Sequence, residues 1–212
     1  MIKGIFFDVG GTLCRSAKVY NAKPSFKRII ADYTSRQIAD FNVQKQPYLW
    51  ITSGSKQGLI KHLCQDIHFD DWRGLYAMLA QYSYEVELYY DVIPCLKVLK
   101  NQYRLGLLCN TTVWTAYDHK KLKLDEYINT SIMSCYVGVA KPDIRIFEYA
   151  QKIFKCNANE LLHVGDTIKF DIEPALRAGW KAVLLCRDNS IRNAPVPIIS
   201  DLLQLENAIS TF

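Results

Sequence analysis

Three aspartates, Asp8, Asp166 and Asp171, end or follow short apolar runs of the sequence. If those runs form neighbouring strands, the three carboxylates converge at one end of a sheet and repel one another, unless a cation lies between them. A hard divalent ion with oxygen ligands relieves this repulsion, and magnesium is the common choice. Lys141, just before Pro142, would act as a point charge for both a phosphate and a nucleophilic carboxylate. The residue types therefore predict metal-assisted chemistry at a carboxylate.

Asp8 is the strongest functional candidate of the three acids. A lone acid that ends a buried apolar strand is costly unless it has a partner. Gly10 and Gly11 follow it, which allows a sharp turn and lets backbone N–H groups approach an anion. Structural alternatives remain for two residues: Asp171 could be a helix N-cap, and Lys141 could lie on the surface.

The elements that would position these residues alternate between strands and helices. Four runs that are apolar on both faces predict buried parallel strands: 2–7, 104–108, 161–164 and 181–185. Helical patterns cover 92–102, 142–154 and 172–178. This alternation predicts an α/β fold with a doubly wound parallel sheet, similar to the Rossmann fold, and right-handed crossovers.

The segment from Arg15 to Leu88 breaks this alternation, because it lacks clear strand runs and its apolar residues follow helical spacing. The predicted helix faces are Phe26, Ile29, Ile30, Tyr33, Ile38 and Phe41; Leu59, Ile60, Leu63, Cys64 and Ile67; and Trp72, Leu75, Tyr76 and Leu79. A helical insert after the first strand would lie over the carboxyl ends of the sheet, where ligands bind in such folds. We therefore expect a core of residues 1–14 and 89–212 and a helical domain of residues 15–88.

Composition limits the classes of protein that fit the chain. It has 212 residues, half of them apolar, and a net charge of +5, which does not indicate nucleic-acid binding. The densest basic run, from His119 to Lys123, predicts a solvated helix face. No apolar window approaches the length of a membrane span, and the N-terminus does not resemble a signal peptide.

The seven cysteines are widely spaced and form no C-x-x-C pair, so the sequence indicates neither a zinc site nor a thioredoxin-like motif. Scattered cysteines of this kind fit a reducing compartment. We expect a cytoplasmic protein that does not bind membranes, and the sequence leaves its oligomeric state open.

Four segments resemble, in order, the motifs of the haloacid dehalogenase-like (HAD) hydrolases: IFFDVGGTL, LGLLCNTT, VGVAKPDIRIF and HVGDTIKFDIEPALRAGW. Each motif alone is weak, whereas all four in order at strand ends are quite specific. The match covers about residues 2–12 and 89–186, and the helical insert resembles the helical cap of that family.

The resemblance implies a Mg²⁺ site and a covalent mechanism. Asp8 would be the nucleophile and would form an aspartyl-phosphate intermediate. Asp8 and Asp166 would hold the ion together with the backbone carbonyl of Gly10. Asp171 would support the metal through hydrogen bonds or through water.

The resemblance also implies which groups hold the phosphate. Lys141 would stabilise the nucleophile and the transferring group, where charge spreads over the equatorial oxygens. Asn110, or the hydroxyl of Thr111, would bond a phosphate oxygen, and the backbone of Gly11 would lie beside it.

Two positions depart from the family pattern. Phosphatases of this family usually carry a second Asp two residues after the nucleophile, which protonates the leaving group, but this chain has Gly10. Losing a general acid–base costs roughly 10²- to 10⁴-fold in rate. The second motif usually has Ser or Thr before Asn, but this chain has Cys109, and a thiol is a weak donor. Thr111 would then take over, or that contact would be weaker.

These departures leave three interpretations. The favoured one is a Mg²⁺-dependent phosphatase for a small phosphorylated metabolite with a good leaving group, or one that uses a cap residue or water as its acid. The second is a hydrolase of the 2-haloacid dehalogenase or phosphonoacetaldehyde type, whose leaving group needs no proton. Dehalogenases have no use for Asp166, and the phosphonoacetaldehyde type needs a cap lysine of lowered pKa. Candidate lysines are Lys18, Lys23, Lys27, Lys45, Lys56 and Lys61. The third is a degenerate member that binds a ligand or a protein without turnover.

Overall fold

A computed structural model describes residues 1–16, 26–35, 51–81, 85–116 and 119–212. Its strands are β1 (Gly4–Phe7), β2 (Cys14–Ser16), β3 (Val86–Leu88), β4 (Arg104–Cys109), β5 (Thr130–Met133), β6 (Leu161–Gly165), β7 (Lys181–Leu185) and β8 (Ile198–Ile199). Six of them form one parallel sheet in the order β5-β4-β1-β6-β7-β8. β1 is central, and Phe6 lies in register with Gly106 of β4 and His163 of β6.

The described helices are α1 (Phe26–Tyr33), α2 (Lys56–Asp66), α3 (Trp72–Ala80), α4 (Val92–Leu99), α5 (Ser134–Val137), α6 (Arg145–Phe154), α7 (Glu173–Arg177) and α8 (Leu205–Ile209), with a π-helical turn at Ile168–Ile172. They cover both faces of the sheet. Ile5 and Phe7 of β1 share one buried cluster with α4 and α8. Phe6, from the same strand, belongs to a second cluster with α6 and α7. The predicted doubly wound sheet is therefore confirmed, because successive β1 side chains pack under helices on opposite faces.

The sequence located four strands of this sheet and missed two. β5 was missed because TSIM begins with polar residues, and β8 because it has only two residues. α6 begins at Arg145, three residues after Pro142, and α7 begins at Glu173, after the π-helical turn. These differences shift the ends of elements and leave their order unchanged.

The expectation that 15–88 contains no strands is wrong. β2 and β3 pair as an antiparallel ribbon at the two ends of this segment, with Arg15 opposite Glu87. The period-2 pattern of a three-residue strand is too short to recognise in a sequence. β2 crosses the first predicted boundary, between residues 14 and 15, and β3 ends at the second, at Leu88. The division into residues 15–88 and a core stays a prediction.

The described helices between β2 and β3 follow the predicted amphipathic spacing. Ile30 of α1, four residues of α2 and two residues of α3 are buried in the same cluster: Leu59, Ile60, Leu63, Cys64, Leu75 and Leu79. Asp71 caps α3 by accepting from the Gly74 N–H, and it also accepts from the Tyr33 hydroxyl at 2.7 Å. This bond ties α1 to α3. Ile38 and Phe41, predicted on the first helix face, lie outside the described residues.

The basic run from His119 to Lys123 forms hydrogen-bonded turns, so the predicted helix face is wrong there. The alternation itself is observed, since Lys120 and Lys123 are exposed and Leu122 is buried. Among the described helices, none combines the length and apolar character that a bilayer crossing requires.

Gly106 has no room for a side chain at the centre of the sheet. A Cβ there would lie 2.5 Å from Phe6 Cε1 and 3.1 Å from Phe154 Cζ, and those two rings already pack at 4.2 Å. We expect Gly106→Ala to lower the free energy of unfolding by about 1–3 kcal/mol through overpacking. Urea denaturation measures this change. Gly10→Ala is the matched control, since a Cβ at Gly10 meets nothing within 4 Å. Equal stability of the two variants would contradict this account of the packing.

Candidate active site

The three predicted acids lie together at the carboxyl end of the sheet. Asp8 follows β1 and its N–H donates to the Val164 carbonyl of β6 at 2.9 Å, while Asp166 follows β6 directly. One carboxylate oxygen from each of Asp8, Asp166 and Asp171 lies within 4.8 Å of the others. The predicted convergence of these acids is therefore observed, and it results from the neighbouring positions of β1 and β6.

Two glycines make room for the acids. Gly11 lies in the turn after Asp8 with a φ of +81°, and a Cβ there would lie 2.1 Å from Asp166 Oδ2. Gly165 ends β6, and a Cβ there would lie 2.3 Å from Asp171 Cγ. The sequence predicted the turn at Gly11 but gave no role to Gly165. Any side chain at either position would displace a carboxylate.

Lys141 is buried between two of the acids, with 2% of its surface exposed. Its Nζ lies 2.7 Å from Asp8 Oδ1 and 2.5 Å from Asp171 Oδ1. The alternative interpretation of Lys141 as a surface lysine is therefore wrong. A buried ammonium between two carboxylates offsets the cost of desolvating all three groups.

Asn110 fixes the backbone at Lys141. Its Nδ2 donates to the Lys141 carbonyl at 2.7 Å, and its Oδ1 accepts from the Lys141 N–H at 2.8 Å. The sequence predicted Asn110 only as a phosphate ligand, so this second role was missed. The two bonds join the end of β4 to the loop that carries the lysine.

Asp171 accepts hydrogen bonds from three directions. Besides Lys141, the His163 ring lies 3.0 Å from Oδ1, and the Thr167 N–H donates to Oδ2 at 3.0 Å. Asp171 belongs to the π-helical turn, and Ile172 occupies the N-cap position of α7. The N-cap interpretation of Asp171 is therefore wrong. His163 was missed by the sequence analysis, although a histidine within a buried apolar strand was a visible signal.

Burial and charge set the protonation of this cluster. Burial raises the pKa of Asp8 from 3.8 to about 7; Lys141 opposes that rise, and Asp171 and Asp166 add to it. Burial and the neighbouring Asp171 likewise raise the pKa of Asp166. For Asp171, burial is outweighed by Lys141 and His163, so its pKa is lowered.

The buried bases respond in opposite directions. Burial disfavours the Lys141 ammonium, but Asp8 and Asp171 outweigh this effect and raise the pKa of Lys141. Burial lowers the pKa of His163 against the attraction of Asp171. Lys141 is therefore a cation at neutral pH, and neutral His163 donates Nε2–H to the Asp171 carboxylate.

The donor set suits a hard divalent cation. Asp8 and Asp166 are the two acids whose pKa is raised, so a cation beside them would relieve both burial and mutual repulsion. Asp171 already accepts three hydrogen bonds. It is therefore better suited to orienting the groups around the metal ion than to binding the ion directly. The residues present thus fit the predicted Mg²⁺.

A cavity of about 470 Å³ opens in front of Asp8. Its lining residues are Asp8, Val9, Gly10, Gly11, Cys14, Arg15, Val86, Cys109, Asn110, Thr111 and Thr115. Gly11, Asn110 and Thr111, which were predicted to bind phosphate, therefore face the same space. Lys141 and Asp171 lie behind Asp8, in the buried layer.

Hydroxyl groups cluster at one wall of this cavity. Thr111 Oγ1 lies 3.2 Å from Thr115 Oγ1, which lies 2.8 Å from Thr112 Oγ1. Cys109 also lines the cavity, and burial raises the pKa of its thiol. Thr115 was missed, because a threonine four residues from Thr111 gives no motif signal.

A family model described as haloacid dehalogenase-like hydrolase matches residues 2–179. The glyceraldehyde 3-phosphate phosphatase of Pyrococcus abyssi (strain GE5 / Orsay) is 35% identical over 82 residues, which are 38% of this chain and 34% of that enzyme. The chain therefore spans about a third of that relative. The pyrimidine 5'-nucleotidase YjjG of Escherichia coli (strain K12) is 25% identical, over 97% of this chain and 96% of its own length.

A solved structure shares the fold across the chain. The 2-haloacid dehalogenase from Pseudomonas syringae pv. Tomato DC3000 matches with a TM-score of 0.72 and 21% identity, covering 100% of this chain and 99% of that chain. At this identity the likeness concerns the fold alone, since one fold hosts several chemistries.

The raised pKa of Asp8 predicts pH-dependent metal binding. With a folded-state pKa of about 7, Asp8 is mostly protonated below neutral pH, and the proton then competes with a cation for the carboxylate. Above neutral pH the proton is lost and the carboxylate is free to bind the cation. We expect Mg²⁺ affinity to rise about tenfold between about pH 6 and about pH 8. Calorimetric titration at both pH values measures this change. Asp8→Asn removes the titrating group, so its residual binding should be nearly flat; a flat profile in the unsubstituted protein would contradict the expectation.

Proposed function

Since the chain belongs to the haloacid dehalogenase-like hydrolases, we propose that it is a Mg²⁺-dependent phosphatase that acts on a small phosphorylated metabolite through Asp8. The observation that carries this proposal is the grouping of Asp166 and Asp171 with Asp8, which itself lines the cavity. Two of the curated relatives are named as phosphatase and nucleotidase, which favours phosphate chemistry.

Asp8 would attack phosphorus. One of its carboxylate oxygens forms the O–P bond while the bond from phosphorus to the leaving-group oxygen breaks, and water then hydrolyses the aspartyl-phosphate. Lys141 holds Oδ1 of Asp8 at 2.7 Å, which fixes the orientation of the carboxylate. Bound Mg²⁺ would be held by Asp8, Asp166 and the Gly10 carbonyl and would offset the negative charge of the acids and the phosphate.

The other phosphate oxygens would meet donors from the cavity wall, namely the Thr111 hydroxyl, the Asn110 amide and the backbone N–H groups beside Gly11. The Lys141 ammonium would add its positive charge from behind Asp8. Their charge or dipole lies at fixed positions before the substrate arrives, which is the arrangement that stabilises a developing charge most effectively.

The leaving group is the point where this site differs from its family. Gly10 supplies no acid, and of the described residues that line the cavity, Asp8 alone carries a carboxyl group. We therefore propose that the preferred substrates carry a leaving group that departs without a strong acid, such as an acyl phosphate or a sugar 1-phosphate.

The two other hydrolase types have less support. A metal-free dehalogenase would not need Asp166 and Asp171, which lie beside Asp8 here. A phosphonoacetaldehyde-type reaction needs a lysine in the cavity. Of the candidates, Lys56 and Lys61 are described with their side chains, and their ammonium groups lie over the Trp114 and Trp72 rings, 5.4 and 4.6 Å from the centroids. Neither lines the cavity in front of Asp8. Lys18, Lys23 and Lys45 lie outside the described residues.

Asp8→Asn should abolish turnover, because an amide cannot form the acyl-phosphate bond. We expect hydrolysis of p-nitrophenyl phosphate and of a metabolite panel to fall by at least about 10³-fold in Asp8→Asn. EDTA should give a comparable loss that added Mg²⁺ restores. Asp70→Asn is the matched control, since Asp70 is an exposed aspartate that does not line the cavity. Turnover that survives either EDTA or Asp8→Asn would reject the proposal.

Gly10→Asp should restore the missing acid. Gly10 has an ordinary φ and a Cβ there meets nothing within 4 Å, so the new side chain fits at the cavity wall. We expect kcat for alkyl phosphates to rise about 10- to 100-fold, because general acid catalysis helps poor leaving groups most. Acetyl phosphate hydrolysis should change by less than about threefold.

The isosteric Gly10→Asn variant separates acid catalysis from a change in shape. An equal gain in both variants, or a wild-type preference for alkyl over acyl phosphates, would contradict the proposed preference for good leaving groups.

A further inference from the structure

Arg187 binds the turn that follows Asp8 from behind. Its Nε donates to the Gly11 carbonyl at 3.3 Å and one terminal nitrogen donates to the Thr12 carbonyl at 2.7 Å. The guanidinium also binds both oxygens of Asp91 and lies 3.8 Å from the centre of the Tyr89 ring. The planar fork of an arginine is the group that can serve two carbonyls and a carboxylate at once.

Asp91 anchors this guanidinium. Its side chain is fully buried, and besides Arg187 its Oδ2 accepts from the Leu202 N–H at 2.8 Å. Arg187 follows β7, Asp91 precedes α4, and Leu202 begins a short 3₁₀ turn, so three separate stretches of chain meet here. A largely buried pair in which the guanidinium makes four hydrogen bonds holds its position better than an exposed pair.

The turn held by Arg187 is also the one that touches Asp166. Gly11 packs so closely against the Asp166 carboxylate that a Cβ would lie 2.1 Å from Oδ2. The same turn continues from Asp8 through Gly10. Arg187 therefore binds the same turn that borders the Asp166 carboxylate.

From these contacts we infer that Arg187, anchored by Asp91, is a positioning residue that fixes the Asp8–Gly11 turn at the distance from Asp166 that cation binding and nucleophilic attack require. The inference rests on the proposed function, since it assigns Arg187 a part in that same site. Arg187 itself does not line the cavity, so it acts through the turn. A displacement of about 1 Å in such a site costs about 10²-fold in rate.

Arg187→Lys tests the inference, because lysine keeps the charge beside Asp91 but cannot reach both carbonyls. We expect kcat for acetyl phosphate to fall about tenfold or more with KM within about twofold. Calorimetry should show Mg²⁺ affinity weaker by about tenfold, as for other groups that orient metal ligands. Amide hydrogen exchange at residues 9–13 should accelerate. Asp91→Asn, which keeps the shape of the anchor, should give smaller changes in the same directions.

Arg104→Lys is the matched control. Arg104 also donates to a backbone carbonyl, that of Phe154, at 2.7 Å and lies over an aromatic ring, but at the amino end of β4. The Arg104→Lys variant should retain the wild-type kcat and Mg²⁺ affinity. If Arg187→Lys also retains kcat and Mg²⁺ affinity at a temperature well below its Tm, the inference is overturned and Arg187 is only structural. If Arg187→Lys does not fold, the same result for Asp91→Asn overturns it.

The two proposals fail in different ways. If the Asp8→Asn variant turns over substrate as fast as the wild type, the proposed function is overturned, whatever the activity of Arg187→Lys. Mg²⁺ affinity and hydrogen exchange report on the turn without any turnover. Unchanged values for both in Arg187→Lys overturn the positioning role even where the phosphatase proposal holds.

Discussion

The site depends on one buried cation that lies between two carboxylates. Lys141 contacts both Asp8 and Asp171, and its charge lowers the pKa of each of these two buried acids. Asp171 keeps the lower pKa of the two because His163 also donates to it. Asp8 is left with a pKa of about 7, so near neutral pH a proton and the proposed metal ion compete for its carboxylate. Lys141 and His163 together thus give two chemically identical side chains different pKa values, so that Asp171 stays an anion and Asp8 can gain or lose a proton.

The arrangement of the sheet explains why residues so far apart in sequence share this lysine. β1, β4 and β6 are adjacent and parallel, so their carboxyl ends meet at one edge. Asp8, Asn110 and Asp166 each follow one of these strands. Asn110 then reaches across to fix the backbone of Lys141. Backbone pairing places the side chains, and the side-chain bonds set the final distances.

Much of this could be predicted from the sequence, because buried parallel strands are apolar on both faces and a polar residue at their ends is conspicuous. The predicted runs 2–7 and 161–164 indicated two strands of the sheet and the positions of Asp8 and Asp166 at their ends. The contacts of Arg187, His163 and Thr115 could not be predicted, because each depends on the packing of segments that are distant in sequence. β2 and β3 were missed for a different reason, since three residues carry too little pattern to recognise.

The ribbon of β2 and β3 has a consequence for how this protein can vary. Antiparallel pairing brings the two ends of the intervening stretch side by side, so that stretch leaves and rejoins the chain at nearly one point. Closing a longer loop costs only about 0.6 kcal/mol for each doubling of its length. Changes in the length of that stretch therefore carry a small cost of closure. Its described helices share a buried cluster with Ile5 and Phe7 of β1, so the changes that the parallel sheet tolerates are those that keep the apolar faces of these helices.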